Sequence, residues 1–277
     1  MLDVPDTLVG RGSELQELDG VLVEALTGPA GPILLEGEPG IGKTSLLREL
    51  ASRADAHGCL VFEGAASELE RDLPFWLLVD ALDEYLAGQD PRLVSSLPAE
   101  TRAELSLVLP AMRDASAGSV PEALQDERYR THRAVRELLE RLAATRPVVL
   151  LFDDVHWADS ESVELLATLV RNPPDARVLV VVASRLGQVP GRLRSALEWT
   201  DRRRGITRVE LRGLSRDAAV ELLTSDIAAS LADELFEESG GNPFYLTQLA
   251  RARAASAAVR EADTRPSTSG VPPAVMA

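Results

Sequence analysis

Apolar residues recur along this chain with two periods, and the alternation marks out helices and strands in turn. Leu15, Leu18, Leu22 and Leu26 form one stripe at helical spacing, and Ser13 and Gln16 stand at capping-box spacing before it. Gly28-Pro29-Ala30-Gly31-Pro32 stops that helix and admits a first strand, Ile33-Leu34-Leu35. Residues 45–50 return to helical spacing, and Cys59-Leu60-Val61-Phe62 reads as a second strand, with Cys59 a buried strand residue. From about residue 74 to 146 the pattern is helical. Phe75, Trp76, Leu78, Val79, Leu82 and Leu86 suggest one core face. A loop rich in Ala, Ser and Gly at 113–120 precedes a long helix near 126–145, striped by Val135, Leu138, Leu139 and Leu142. Residues 148–152 and 178–183 are apolar without alternation, as expected of strands buried on both faces in the middle of a parallel sheet. Between them Asp159 is placed to N-cap a helix, with Glu161 in its first turn. Residues 206–211 alternate and read as the last strand.

A small helical block follows, with Ala219, Leu222 and Leu223, then Ile227, Leu231, Leu235 and Phe236, then Phe244, Leu246 and Leu249. Gly240-Gly241-Asn242-Pro243 has the form of a helix stop and restart: glycine past one end, Asn242 as N-cap, Pro243 at the first helical position. The pattern predicts an α/β domain over residues 1–212, a helical domain over 213–254 and a linker over 255–277.

The candidate chemistry sits at the ends of the apolar strands. Gly37-Glu38-Pro39-Gly40-Ile41-Gly42-Lys43-Thr44 fits G-x-x-x-x-G-K-[ST], between a strand and a helix. Gly37, Gly40 and Gly42 allow a tight turn that brings backbone N–H groups to an anion, and the helix dipole adds favourable potential. The loop, with Glu38, Pro39, Ile41 and the following Ser45, is therefore assigned to phosphate. Lys43 supplies a charge for the outer phosphates and the Thr44 hydroxyl a ligand for Mg²⁺.

Asp153 and Asp154 follow five apolar residues at a strand end, where open α/β sheets bind ligands. Asp153 is expected to hold Mg²⁺, and Asp154 to orient and deprotonate the attacking water. Strand alternation should turn the two to opposite sides. Ser184-Arg185 ends the next strand; from the residues alone Arg185 is equally a phosphate contact and a solvated loop arginine. His156 has no metal-ligand spacing to another histidine and reads as a loop residue near the site, with Trp157 packing beside it.

Composition narrows the function. The 277 residues carry a net charge of −15, which argues against a dedicated nucleic-acid binder. Arg192 and Arg194, with Arg202, Arg203 and Arg204, form the best basic patch, but without interleaved aromatics it reads as solvated surface. Cys59 is the single cysteine, so no disulfide forms within the chain. With no secretory pattern at the start and no apolar run of spanning length, a cytoplasmic protein is expected, with no membrane partner.

Together these pieces resemble the STAND-type ATPases, AAA-related signalling switches, and above all the nucleotide-binding module of large ATP-binding LuxR-type bacterial regulators. The matching strings are Leu8-Val9-Gly10-Arg11, the P-loop, Leu151-Phe152-Asp153-Asp154-Val155-His156-Trp157-Ala158-Asp159, Ala183-Ser184-Arg185 and Gly241-Asn242-Pro243-Phe244-Tyr245. The resemblance implies a P-loop NTPase three-layer sandwich with a parallel sheet of order 5-1-4-3-2 and a helical lid. It implies Mg²⁺ and ATP or ADP as ligands, Val9, Gly10 and Arg11 at the adenine, Arg185 as a γ-phosphate sensor, and Pro243 on the base. Asp154 is one methylene shorter than the glutamate many related ATPases use, so slow turnover is expected.

The family continues into a winged helix, helical repeats and often a DNA-binding element; residues 271–277 look like the lead into that winged helix. Such C-terminal regulatory domains, or a second copy of the chain, are the expected partners, with no direct nucleic-acid binding. Two other readings stay open: a nucleotide-holding interaction module with negligible hydrolysis, and a DNA-loading ATPase of the initiator type.

Overall fold

The computed structural model describes residues 8–88, 96–112, 125–223 and 229–264, and the side chains of all of these except 125–128, 229–230 and 257–264. The expected loop at 113–120, Ile227, and the tail beyond Thr264 lie outside the described residues. The chain forms two compact units. One spans Arg11–Arg212; the other joins residues 8–10 to the described residues from 213 onward.

In the larger unit five strands form one parallel sheet: β1 (Ile33–Gly37), β2 (Leu60–Ala65), β3 (Val148–Asp153), β4 (Val178–Arg185) and β5 (Thr207–Leu211). Their order is β2-β3-β4-β1-β5, all neighbours parallel, which is the 5-1-4-3-2 order expected. Burial follows position. The inner strands β3 and β4 are buried until their last residue, whereas the edge strands β2 and β5 alternate.

Strand β2 begins one residue later than the apolar run and ends three residues later, because pairing with β3 carries it on to Ala65 opposite Asp153. Its Gly64 is required by packing: a Cβ there would lie 2.5 Å from the Leu77 carbonyl oxygen.

Helices α1 (Gly12–Thr27) and α2 (Lys43–Ala56) pack together; α1 also meets β4 and β5, and α2 meets β1, β2 and β3. Leu34, Leu150, Phe152, Val180 and Val182 join a single core with buried residues of α3 (Trp76–Ala87), α4 (Ala99–Val108), α5 (Gln125–Ala143), α6 (Ser160–Arg171) and α7 (Gly191–Arg204). Alternation along the strands turns Leu35, Leu151 and Val181, all buried, to the opposite face.

Three local expectations are corrected. Helix α1 starts at Gly12 with Arg11 in the N-cap position and no side-chain cap; Ser13 instead donates to Glu14 at 2.7 Å, so no capping box forms. Phe75 precedes α3 with left-handed backbone, φ 60°; Leu77 joins Leu78, Leu82 and Leu86 on the buried face, and Phe75 and Val79 are partly buried against the same core. The basic patch does contain an aromatic: the guanidinium carbons of Arg203 and Arg171 lie 4.2 and 5.1 Å from the Trp199 ring centre.

The smaller unit contains α8 (Arg216–Leu222), α9 (Ala229–Ser239) and α10 (Pro243–Thr264). Leu214, Ala218, Ala219, Leu223, Ala232, Leu235, Leu246 and Ala250 form its core. Gly240 and Gly241 take φ 59° and 74°, and Asn242, buried, accepts from the Phe244 N–H at 3.1 Å; this is the stop and restart read from the sequence. Helix α10 runs to Thr264, past residue 254 where a linker is expected. Among the described residues no helix is long and apolar enough to cross a membrane.

Asp159 connects two elements of the larger unit. It is 3% exposed and caps α6 by accepting from the Ser162 N–H at 2.8 Å. The same carboxylate accepts from the N–H groups of Phe75 at 2.9 Å and Trp76 at 3.2 Å, which holds Phe75 in its unfavourable conformation. Asp159→Ala removes a cap and strands a backbone donor, so it should cost about 3 kcal/mol of stability, read as a lower urea midpoint with unchanged slope.

Candidate functional site

The parallel register brings the carboxyl ends of β1, β3 and β4 to one edge of the sheet. Gly37, the last residue of β1, pairs with Arg185, the last of β4. From Gly37 the chain turns through residues 38–42 into α2. Gly40 and Gly42 take φ 74° and 104°, a region that favours glycine. Gly37 is needed for space: a Cβ would lie 2.7 Å from Ile41 Cγ2. Helix α2 begins at Lys43 without a side-chain cap, so the N–H groups of its first turn and the positive end of its dipole are available to an anion.

Lys43 is 7% exposed, and its Nζ donates to the carbonyl oxygens of Gly37 at 3.0 Å and Glu38 at 3.1 Å. Its third proton is in addition to these two bonds. Burial lowers the lysine pKa below its usual value, and the nearby carboxylates of Asp154 and Asp153 oppose that shift.

Thr44 reaches across the strand ends. Its Oγ1 donates to Asp153 Oδ2 at 2.5 Å, so the loop after β1 touches the end of β3. Asp153 Oδ1 also accepts from the Asp154 N–H at 2.8 Å.

Asp154 stands just beyond β3, with left-handed φ 49° and ψ 38°, at the start of a short 3₁₀ turn, Val155–Trp157. The turn, rather than strand alternation, separates the two acids. Its side chain is 44% exposed, open to solution beside the loop. Burial of the remainder raises its pKa, the Asp153 charge raises it further, and Lys43 and Arg185 oppose both.

The 3₁₀ turn brings two more side chains to this edge. The Arg185 guanidinium carbon lies 5.6 Å from the Trp157 ring centre, a cation–π contact that orients it. Beside them His156 Nδ1 lies 3.7 Å from Asp154 Oδ1.

The Val9-Gly10-Arg11 string divides between the two units. Arg11 belongs to the larger one and is 4% exposed, its guanidinium donating to the Ile41 carbonyl at 2.9 Å and to Glu14 at 3.0 Å. It braces the P-loop at Ile41. A buried arginine on a backbone carbonyl thirty residues away leaves no mark in local periodicity. Val9 packs on the core of the smaller unit, and Gly10, φ 70°, sits where a Cβ would lie 2.4 Å from Ala218 Cβ. Pro243 opens α10 in that same unit.

Comparison with known proteins agrees with this geometry. The chain matches the family described as AAA ATPase domain over residues 7–182. It is 28% identical over 270 residues to an uncharacterized protein of Rhizobium meliloti (strain 1021), covering 87% of this chain and 24% of that protein. The chain thus spans about a quarter of the length of that curated relative. Among solved structures, Cdc6p of Pyrobaculum aerophilum is 16% identical with a TM-score of 0.57, over 94% of this chain and 65% of that one. Aeropyrum pernix Orc1, solved in complex with DNA, is 17% identical with a TM-score of 0.53, over 94% and 63%. A RuvB variant of Thermotoga maritima is 17% identical with a TM-score of 0.50, over 93% and 67%. At these identities the likeness is one of fold. The family match, by contrast, takes in the P-loop, both acids and most of β4, well over half of the sequence, and on that ground the chain belongs to the AAA ATPase domain family.

Proposed function

We propose that this chain is the nucleotide-handling module of a STAND-type signalling switch, binding ATP with Mg²⁺ and hydrolysing it slowly. The observation that carries the reading is the Thr44–Asp153 contact, which joins the P-loop to the acidic end of β3 across 109 positions of sequence. The D-D-x-H-W-A-D and G-N-P-F-Y strings support the finer assignment to STAND-type switches.

Residues 37–45 bind the phosphates through backbone N–H groups and the Lys43 ammonium. Thr44 Oγ1 and Asp153 Oδ2 are two hard oxygens already in contact, the donor type Mg²⁺ prefers. Mg²⁺ held there would neutralise charge on the phosphate oxygens.

Asp154 takes the proton of the attacking water as the new bond to the γ-phosphorus forms and the bond to the β–γ bridging oxygen breaks. Its raised pKa makes it a better base than an ordinary aspartate. Arg185, paired in register with Gly37, senses the γ-phosphate. Residues 213–254 act as the lid, with Pro243 on the base and Val9, Gly10 and Arg11 at the adenine. The competing reading, a DNA-loading ATPase, draws on the fold shared with Cdc6p and Orc1. The net charge of −15 weighs against it.

Three outcomes test the reading. Lys43→Ala removes charge-assisted contacts worth ~1.5–3 kcal/mol each, so the Kd for ATP should rise roughly 10- to 100-fold by calorimetry while the nucleotide-free fold persists. An unchanged Kd removes the P-loop assignment. Asp154→Asn should keep ATP binding while single-turnover hydrolysis falls ~10²–10⁴-fold; hydrolysis at the parent rate removes the base assignment, and a parent without turnover leaves a nucleotide-holding module. ATP should slow hydrogen exchange over residues 240–246 if Pro243 meets the base, and identical exchange with and without ATP removes the lid contact.

A further inference from the structure

Among the described residues, His156 is a buried group at the strand ends that the proposed reaction does not yet use. Its side chain is 3% exposed, and neither Nδ1 nor Nε2 makes a hydrogen bond. A histidine kept for packing has its ring nitrogens satisfied, since a buried polar atom without a partner costs stability. An apolar side chain would fill the same space without that cost. The ring is held on one side by Trp157, 5.3 Å between centres, and that indole carries Arg185. Its Nδ1 lies 3.7 Å from Asp154 Oδ1, just beyond hydrogen-bond length. The Asp154 carboxylate is half open to solution, so a small side-chain rotation closes the gap.

We propose that His156 is a positioning residue for Asp154: its Nδ1–H donates to the carboxylate and holds it turned toward the water that attacks the γ-phosphate. The proposal rests on the reading of Asp154 as the base. Burial first, then the charges of Arg185 and Lys43, bring the imidazole pKa down to about 4, so the ring is neutral around pH 7. One ring nitrogen then carries a proton and the other does not, and the proposal requires the tautomer protonated at Nδ1. His156 therefore acts as a fixed donor, neither delivering a proton nor carrying a charge.

The test is a double-mutant cycle on single-turnover ATP hydrolysis, with ATP affinity measured beside it. His156→Leu should slow turnover roughly 10-fold or more, the size of a lost hydrogen bond to a charged group, with the Kd for ATP unchanged. Its nucleotide-free melting temperature should equal or exceed the parent's, because two orphaned nitrogens are gone. His156→Asn, whose amide nitrogen falls close to Nδ1, should restore most of the rate; His156→Gln, whose amide falls close to Nε2, should not. In the Asp154→Asn background His156→Leu should cost nothing further.

The same loss in both backgrounds, or parent-like turnover of His156→Leu, overturns the proposal while leaving the base assignment intact. A parent-like rate for Asp154→Asn alone overturns the base assignment and this proposal with it. Should His156→Leu fail to fold, the contrast between Asn and Gln decides: equal rates for the two overturn the positioning role.

Discussion

The hydrogen bond between Thr44 and Asp153 depends on the register of a parallel sheet, and much of the site depends on that bond. Thr44 belongs to the first turn of the helix after β1, Asp153 to the last residue of β3, and β4 lies between the two strands. Only a sheet with all strands running the same way brings every carboxyl end to one edge. The connection from β1 runs to the far edge strand, and the chain returns through β3 and β4 to the side of β1. The P-loop, the acid pair and Arg185 then converge although 148 positions separate Gly37 from Arg185.

That edge is also where charge is desolvated. Lys43 is nearly buried yet tied to two carbonyl oxygens of its own loop, so the ammonium is oriented before any phosphate arrives. Asp154 leaves the strand in a left-handed conformation that few non-glycine residues adopt. Strain of this kind persists where surrounding contacts over-determine it, and it clusters at functional sites. Here the Asp153 carboxylate accepts the Asp154 N–H and locks the turn. Arg11 does the same for the P-loop, donating to the Ile41 carbonyl. Asp159 secures the neighbouring start of α3, with Phe75 again left-handed.

The smaller unit is built on a different principle. Among its described residues there is no strand, and its core is drawn mainly from three helices with small residues at close approaches, Ala218 against Gly10 among them. Its restart at Asn242 and Pro243 needs only local chemistry: two glycines with positive φ, a side-chain cap and a proline whose missing N–H costs nothing there.

What the sequence by itself determined follows from this contrast. Features written in consecutive residues were legible: the P-loop, the doubly buried strands β3 and β4, the alternating edge strand β5, the Asp159 cap and the Asn242-Pro243 restart. Each rests on periodicity or backbone chemistry within a few positions. The sheet order came from resemblance to a family, since periodicity carries no information about which strands are neighbours. The tertiary structure alone decided the contacts that span the chain. Arg11 was buried by a bond to the Ile41 carbonyl. Trp199 took up both Arg171 and Arg203 on its ring, joining two helices. Asp159 reached back to Phe75, and Asp154 left the strand whose alternation should have turned it. His156 looked like an ordinary loop residue until the 3₁₀ turn buried its ring beside Asp154. In each case the deciding energy is a hydrogen bond, a cation–π contact or a desolvated charge, and such terms exist only once the chain has folded.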